Sequence, residues 1–187
     1  PSERRTFLDH LLIQRNPRLG GVISDYEKAL KQRNTLLKAR APESTLHPWN
    51  EHLANFGGEV IAARLKLIRD LTPHLMSSYE NISVKKKPSL EYKSNLDKLS
   101  EEKEENTNEL LRKISEVSYQ ERERGISLVG PHRDDLLLNL GEHPVKGFAS
   151  HGESWSIALS LRLASYLLLK ADGDNPILIL DDVFSEL

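Results

Sequence analysis

The chain has 187 residues, 38% hydrophobic and 29% charged, which is enough apolar material for one good core or two small ones and too much for a disordered chain. Cysteine is absent, so a disulfide framework, a zinc ribbon and any thiolate metal site are excluded. No apolar run approaches the roughly 20 residues of a membrane span, and Pro1-Ser2-Glu3-Arg4-Arg5 lacks a signal-peptide core, so a soluble cytoplasmic protein with no membrane contact is expected. The start on a proline and the stop at Leu187, directly after an acidic loop, lead us to expect a fragment cut at both ends. The net charge of -2 is unevenly spread: residues 1–70 hold 12 Lys/Arg against 8 Asp/Glu, whereas 125–187 hold 4 against 9. The basic end is the better candidate for phosphate contacts, although such charge is commonly just a solvated helix face.

In chain order, Ser2 is an expected N-cap for a helix from Arg4 to Gln14, with Asn16-Pro17 and Gly20-Gly21 punctuating its end. Apolar positions from Val22 to Leu37 form a helical stripe closed by Pro42. The next helix is expected to start near His47-Pro48, pause at Gly57-Gly58 and run on through Leu75, giving a helical hairpin or bundle. Lys85-Lys86-Lys87-Pro88 breaks that pattern, and Ser89 to Ser94 suits a short strand. The charged run Asp97 to Arg124 suits an exposed helix. After Gly125 the composition turns to β type: Ile126 to Val129, then Leu136 to Leu140, then a turn at Gly141 to Pro144, then a further β segment from Val145 onward. A helix from about Glu153 to Ala171 leads into the wholly apolar Ile177 to Leu180, expected to be a buried strand.

That strand ends in Asp181-Asp182, the geometry of a Walker B motif, in which the first acid holds magnesium and the next orients the attacking water. Alone, an apolar strand followed by two acids is more often only a solvated strand end. The context is Ser150-His151-Gly152-Glu153 at a helix start 28 residues upstream, where free amides, a hydroxyl and a glycine make an anion site suited to a terminal phosphate. A plain Ser/Gly helix cap is the competing interpretation.

Ala149 to Glu153 resembles the L-S-G-G-Q signature of ABC ATPases, with His151 in place of a glycine and Glu153 in place of glutamine, the latter similar to the SMC-type branch that handles DNA. Gly130-Pro131-His132-Arg133-Asp134-Asp135 resembles a hallmark of the RecF family of recombination-mediator ATPases, and Ser2-Glu3-Arg4-Arg5-x-Phe7-Leu8-Asp9 and Tyr26-x₃-Leu30-x-Gln32-Arg33-Asn34-x-Leu36-Leu37 are also similar to that family, so the resemblance spans nearly the whole chain. Without the resemblance, Arg133 beside two acids is equally a turn ion pair and His132 a hydrogen-bonded structural histidine.

The resemblance implies an α+β fold: a mostly helical lobe joined to part of an ABC-type P-loop ATPase head. It divides the chain into 1–21 as head-to-lobe connection, 22–124 as lobe, and 125–187 as head with signature helix and Walker B strand. It implies ATP and Mg2+ as cofactors, with Ser150, Gly152 and Glu153 at the nucleotide of a second copy, Asp181 on Mg2+ and Asp182 catalytic. It further implies an ATP-dependent homodimer, DNA as partner, RecR/RecO-type mediator proteins, and a role in DNA repair, replication, recombination and the SOS response. Lys31 and Arg33 are the candidate DNA contacts within the basic half. No G-x-x-x-x-G-K-[ST] occurs, so this chain by itself is not expected to hydrolyse ATP. The alternatives are an ABC transporter ATPase subunit or another SMC-like ATPase head, against which the Gly130 to Asp135 motif and Asp182 count.

Overall fold

The computed structural model describes residues 1–81 and 86–180. These fall into two compact units, one formed by Pro1–Lys66 and Lys93–Asp135, the other by Leu67–Tyr92 and the described residues of Leu136–Leu187.

The first unit is helical. α1 (Ser2–Arg15) ends where Asn16 turns extended (φ -145°, ψ 95°), as a residue before proline must, and α2 (Arg18–Lys38) restarts at once, Arg18 N–H donating to Asn16 Oδ1 at 3.2 Å. Gly20-Gly21, expected to punctuate the chain, lies inside α2. The cost of about 1 kcal/mol per helical glycine is offset there by burial of Leu19 and Val22. α2 ends in a Schellman motif: Ala41 N–H reaches Leu36 O and Arg40 N–H reaches Leu37 O, both at 3.0 Å, with Arg40 at φ +53°.

α3 (Glu43–Glu80) is one continuous helix of 38 residues, with no pause at Gly57-Gly58. Those glycines serve close packing instead. A Cβ at Gly58 would sit 2.3 Å from Thr107 Oγ1 and 2.8 Å from the Lys103 carbonyl, and one at Gly57 would sit 3.0 Å from Leu110. The first turns of α4 (Lys103–Arg124) thus lie directly on the α3 backbone. α4 is less exposed than its charge suggests, since Asn106, Leu110, Ile114 and Glu121 form a buried face at helical spacing. Its outer face carries an ion-pair cluster of Arg112 and Lys113 with Asp97, Glu109 and Glu116.

Residues 126–129 form no strand, contrary to expectation. Side chains have taken the backbone groups a sheet would use: Ser127 N–H donates to Asn34 Oδ1 (2.7 Å), Leu128 N–H to Glu121 Oε1 (2.7 Å), and the Ser127 carbonyl accepts from Arg133 (2.9 Å).

The second unit holds a three-stranded sheet in the order β1 (Pro88–Lys93), β2 (Asp135–Leu140), β3 (His143–Pro144). β2 and β3 are antiparallel, pairing Leu140 with His143 and Asn139 with Pro144. The two-residue loop between them is opened by Gly141 at φ +64°. His143 and Pro144, expected in the turn, are strand, and Val145 onward, expected to be β, is a short kinked turn α5 (Val145–Phe148) with Gly147 at φ +88°, leading to α6 (His151–Ala171). Tyr79 of α3, Leu140 of β2 and Ile157 of α6 form a buried cluster, with Leu138 and Val145 packed against it.

Ile177 to Leu180 is not the buried strand expected. Ile177 and Ile179 are 88% and 83% exposed, and among the described residues no strand pairs with the segment. A strand exists only through its ladder partner, so an apolar run without one stays irregular. No helix among the described residues is long and apolar enough to cross a membrane.

Candidate functional site

Ser150, Gly152 and Glu153 come together at the start of α6. Ser150 is the N-cap (φ -64°, ψ 167°), and a reciprocal capping box closes around it: Glu153 N–H donates to Ser150 Oγ at 3.2 Å, and Ser150 N–H donates to Glu153 Oε2 at 2.9 Å. The other carboxylate oxygen, Oε1, accepts from Lys86 Nζ at 2.7 Å. Lys86, with these two hydrogen bonds to Ser150, holds the Glu153 carboxyl down at about 2. Open space lies where a Cβ on Gly152 would point, so a ligand can reach the backbone there. The donor set, a serine hydroxyl and first-turn amides at the positive end of a 21-residue helix, suits a phosphate.

Asp181 and Asp182 lie outside the described residues. Among the described residues no group of three or more His, Asp or Glu side chains is placed to hold a metal ion.

The two candidate DNA contacts part company. Lys31 is exposed on α2. Arg33 is buried at 2% exposure, all three guanidinium nitrogens committed: Nε to Asn50 Oδ1 (2.7 Å), Nη1 to Ser127 Oγ (2.7 Å), Nη2 to Glu121 Oε2 (2.6 Å). Glu121 and Ser127 are 0% exposed. An arginine so enclosed serves the interior, so the expected Arg33 phosphate contact is corrected to a structural role; its helical spacing from Tyr26, Ala29 and Leu37 puts it on the buried face of α2.

The Gly130 to Asp135 motif belongs to this same interior system. His132 Nε2 lies 3.3 Å from the Ser127 carbonyl, which can only accept, so Nε2 carries the proton and Nδ1 accepts from the Tyr26 hydroxyl at 2.6 Å. Burial first, then the nearby Arg133, Arg5 and Arg33, pushes the imidazole down to about 4, although its bond to Ser127 acts in the opposite direction. Burial pushes the Tyr26 phenol above its ordinary value, keeping it a donor. Asp135 binds Arg4 through two hydrogen bonds (2.9 and 2.7 Å), Asp134 accepts from Ser94 Oγ (2.8 Å), and the Pro131 carbonyl accepts from Arg64 (2.9 Å), which itself grips Asp9. Gly130 is required at φ +126°, where a Cβ would meet the Tyr26 hydroxyl at 2.5 Å. The motif is a clamp joining α1, α2 and α3. A cavity of about 260 Å³ lies beside it, lined by Arg5, Asp9, Tyr26, Arg64 and His132 among others.

Sequence reasoning did not single out Tyr26, Asn34 and Glu121 as polar partners, nor Lys86 as a neighbour of residue 153. Tyr26 and Asn34 stand in a run that resembles the RecF family, but nothing local assigns their partners, because Tyr26–His132, Asn34–Ser127 and Arg33–Glu121 join residues far apart in the chain.

The fold and these two regions define an α+β protein with a helical unit that holds a buried polar clamp and a small sheet followed by a helix that starts in a reciprocal capping box. No family model matches the chain. It is 50% identical over 198 residues to a DNA replication and repair protein RecF of Streptomyces avermitilis, 47% identical over 216 to one of Rhodococcus erythropolis, and 44% identical over 221 to one of Beutenbergia cavernae. All of this chain is covered in each case, with 53%, 53% and 56% of the relative. A solved structure of the recombination mediator protein RecF-ATP in the RecFOR pathway is similar with a TM-score of 0.91 and 27% identity, covering all of this chain and 52% of that one. The chain belongs to the RecF family, and it spans about half the length of the curated relatives it matches.

Proposed function

We propose that the full-length protein carrying this chain is an ATP-dependent recombination mediator acting in DNA repair and replication, including the SOS response, and that residues 150–153 receive nucleotide across an ATP-driven homodimer. The observation that carries this is the capped start of α6, an anion-ready surface in a chain whose similar solved structures are RecF-ATP and RecF-ATPrS. When bound, ATP supplies the terminal phosphate. Ser150 offers its hydroxyl, the Gly152 backbone allows close approach, and Glu153 holds the cap in shape. Asp181 and Asp182 keep their proposed roles, on Mg2+ and on the attacking water. Residues 22–124 serve as the lobe and 125–187 as part of the head, with RecR/RecO-type proteins as partners, consistent with the pathway named for the similar structure. The relatives' DNA repair naming favours this over a transporter subunit.

For DNA, the support is a stripe on one face of α2: Lys28, Lys31 and Lys38 are exposed at helical spacing. Arg33 is not part of it.

Two experiments test the proposal. Light scattering of the full-length protein should show ATP-dependent dimers that Ser150→Arg abolishes; dimers surviving that change would remove residues 150–153 from the nucleotide site. Fluorescence anisotropy with duplex DNA should weaken steeply with salt, and Lys31→Ala should reduce the salt slope by about one counterion. An unaltered slope takes Lys31 out of the footprint.

A further inference from the structure

We infer that Lys86 is the positioning and charge-compensating residue of the α6 start, cancelling the acid at 153 so that this surface accepts the phosphate of a nucleotide held by a second copy. The inference rests on the nucleotide reading proposed above.

A carboxylate three residues into a helix favours the helix itself, through the macrodipole and the capping box. It opposes the proposed ligand, because Glu153 sets a negative charge within one helical turn of the place a phosphate would occupy. An exposed glutamate is ionised at neutral pH in any case, and its bonds to Lys86 and Ser150 hold this one further below its ordinary value. The compensation must come from a cation, and Lys86 Nζ stands 2.7 Å from Oε1 while Oε2 is bound to the Ser150 amide. With Lys86 the capping assembly is neutral overall, and the Lys86 ammonium, half exposed at 49%, keeps further N–H donors for an arriving anion.

The cation is 67 residues upstream of its acid, yet the fold fixes where it stands. The adjoining Lys87 carbonyl accepts from Gly141 N–H at 2.8 Å, and β1 begins at Pro88 and lies beside β2. Leu138 and Leu140 of β2 pack with Ile157, two turns into α6. Lys86 and Ser150 are thus held on a common frame of sheet and helix. That separates this pair from an ordinary surface ion pair between two free side chains.

The test is a double-mutant cycle in the full-length protein, reading the ATP concentration for half-maximal dimerisation by light scattering. Lys86→Ala should raise it about fivefold, Lys86→Gln likewise, and Lys86→Arg by less than about twofold, as expected for a charge near a helix terminus. In a Glu153→Gln background, where there is no acid to offset, Lys86→Ala should change it by less than about twofold relative to that background, a rescue that a folding defect would not give. An effect of Lys86→Ala of equal size in both backgrounds, or absent in the native one, overturns the inference and leaves the nucleotide reading standing. Absence of ATP-dependent dimers in the native protein, or their survival in Ser150→Arg, overturns both.

Discussion

Two ion pairs in this molecule share their chemistry and differ in what surrounds them. Arg33–Glu121 sits at 2% and 0% side-chain exposure with every remaining polar atom engaged, whereas Lys86–Glu153 sits at 49% and 29% beside open solvent. The first is a fastener: it joins α2 to α4 and, through Ser127 and Asn50, to the 126–129 segment and α3. The second stabilises little by itself, but it sets the charge on a surface a ligand can reach. Burial, not residue type, separates a structural pair from one open to ligand.

The contrast is broken most directly by Arg33→Ala, which leaves Glu121 buried without its cation and should cost about 3–5 kcal/mol in urea unfolding. A loss below about 1 kcal/mol would mean the clamp is wet. Gly58→Ala should cost about 1–3 kcal/mol, because its methyl meets α4 backbone and Thr107 with no room to yield. Acid sharpens the picture further. His132 has a folded value of about 4 against 6.5 in the unfolded chain, so the unfolded chain binds more protons between those values. Stability should therefore be full above about pH 6.5 and fall by up to about 3 kcal/mol as the pH drops toward 4. His132→Gln should flatten that slope in pH-resolved denaturation, and an equal slope would assign it to other groups. Ser150→Ala, which removes half of the capping box, should cost about 1 kcal/mol or less, far below the Arg33 effect. Smallest and opposite in sign, Arg40→Gly should stabilise by about 0.5–1 kcal/mol, since φ +53° suits glycine at the end of α2.

Much of the fold was legible because helical periodicity is a local signal. α1, α2, α4 and α6 lie near their expected positions, β1 and β2 match the runs Ser89 to Ser94 and Leu136 to Leu140, and the capping box follows from Ser150 and Glu153 themselves. The misreadings share one cause: a local symbol acquired its meaning from a distant partner. Gly57-Gly58 looks like a break until α4 is laid against it, and Gly20-Gly21 looks like a stop although Asn16-Pro17 had already made one. Ile126 to Val129 has strand composition but finds Asn34 and Glu121 waiting for its amides. Ile177 to Leu180 has the composition of a central strand and no ladder partner among the described residues. The helix start was half legible: Ser150, Gly152 and Glu153 are neighbours in the chain and share the first turn of α6, while Lys86 is joined to them only by the sheet.

The one-way hydrogen bonding of His132 carries a spectroscopic consequence. With Nε2–H directed at the Ser127 carbonyl and Nδ1 capped by the Tyr26 hydroxyl, the imidazole is held in one tautomer and partly shielded from water. Such a ring proton exchanges slowly and resonates apart from the other histidines. A single downfield NMR line would then report, without any label, whether the polar interior of the helical unit is closed.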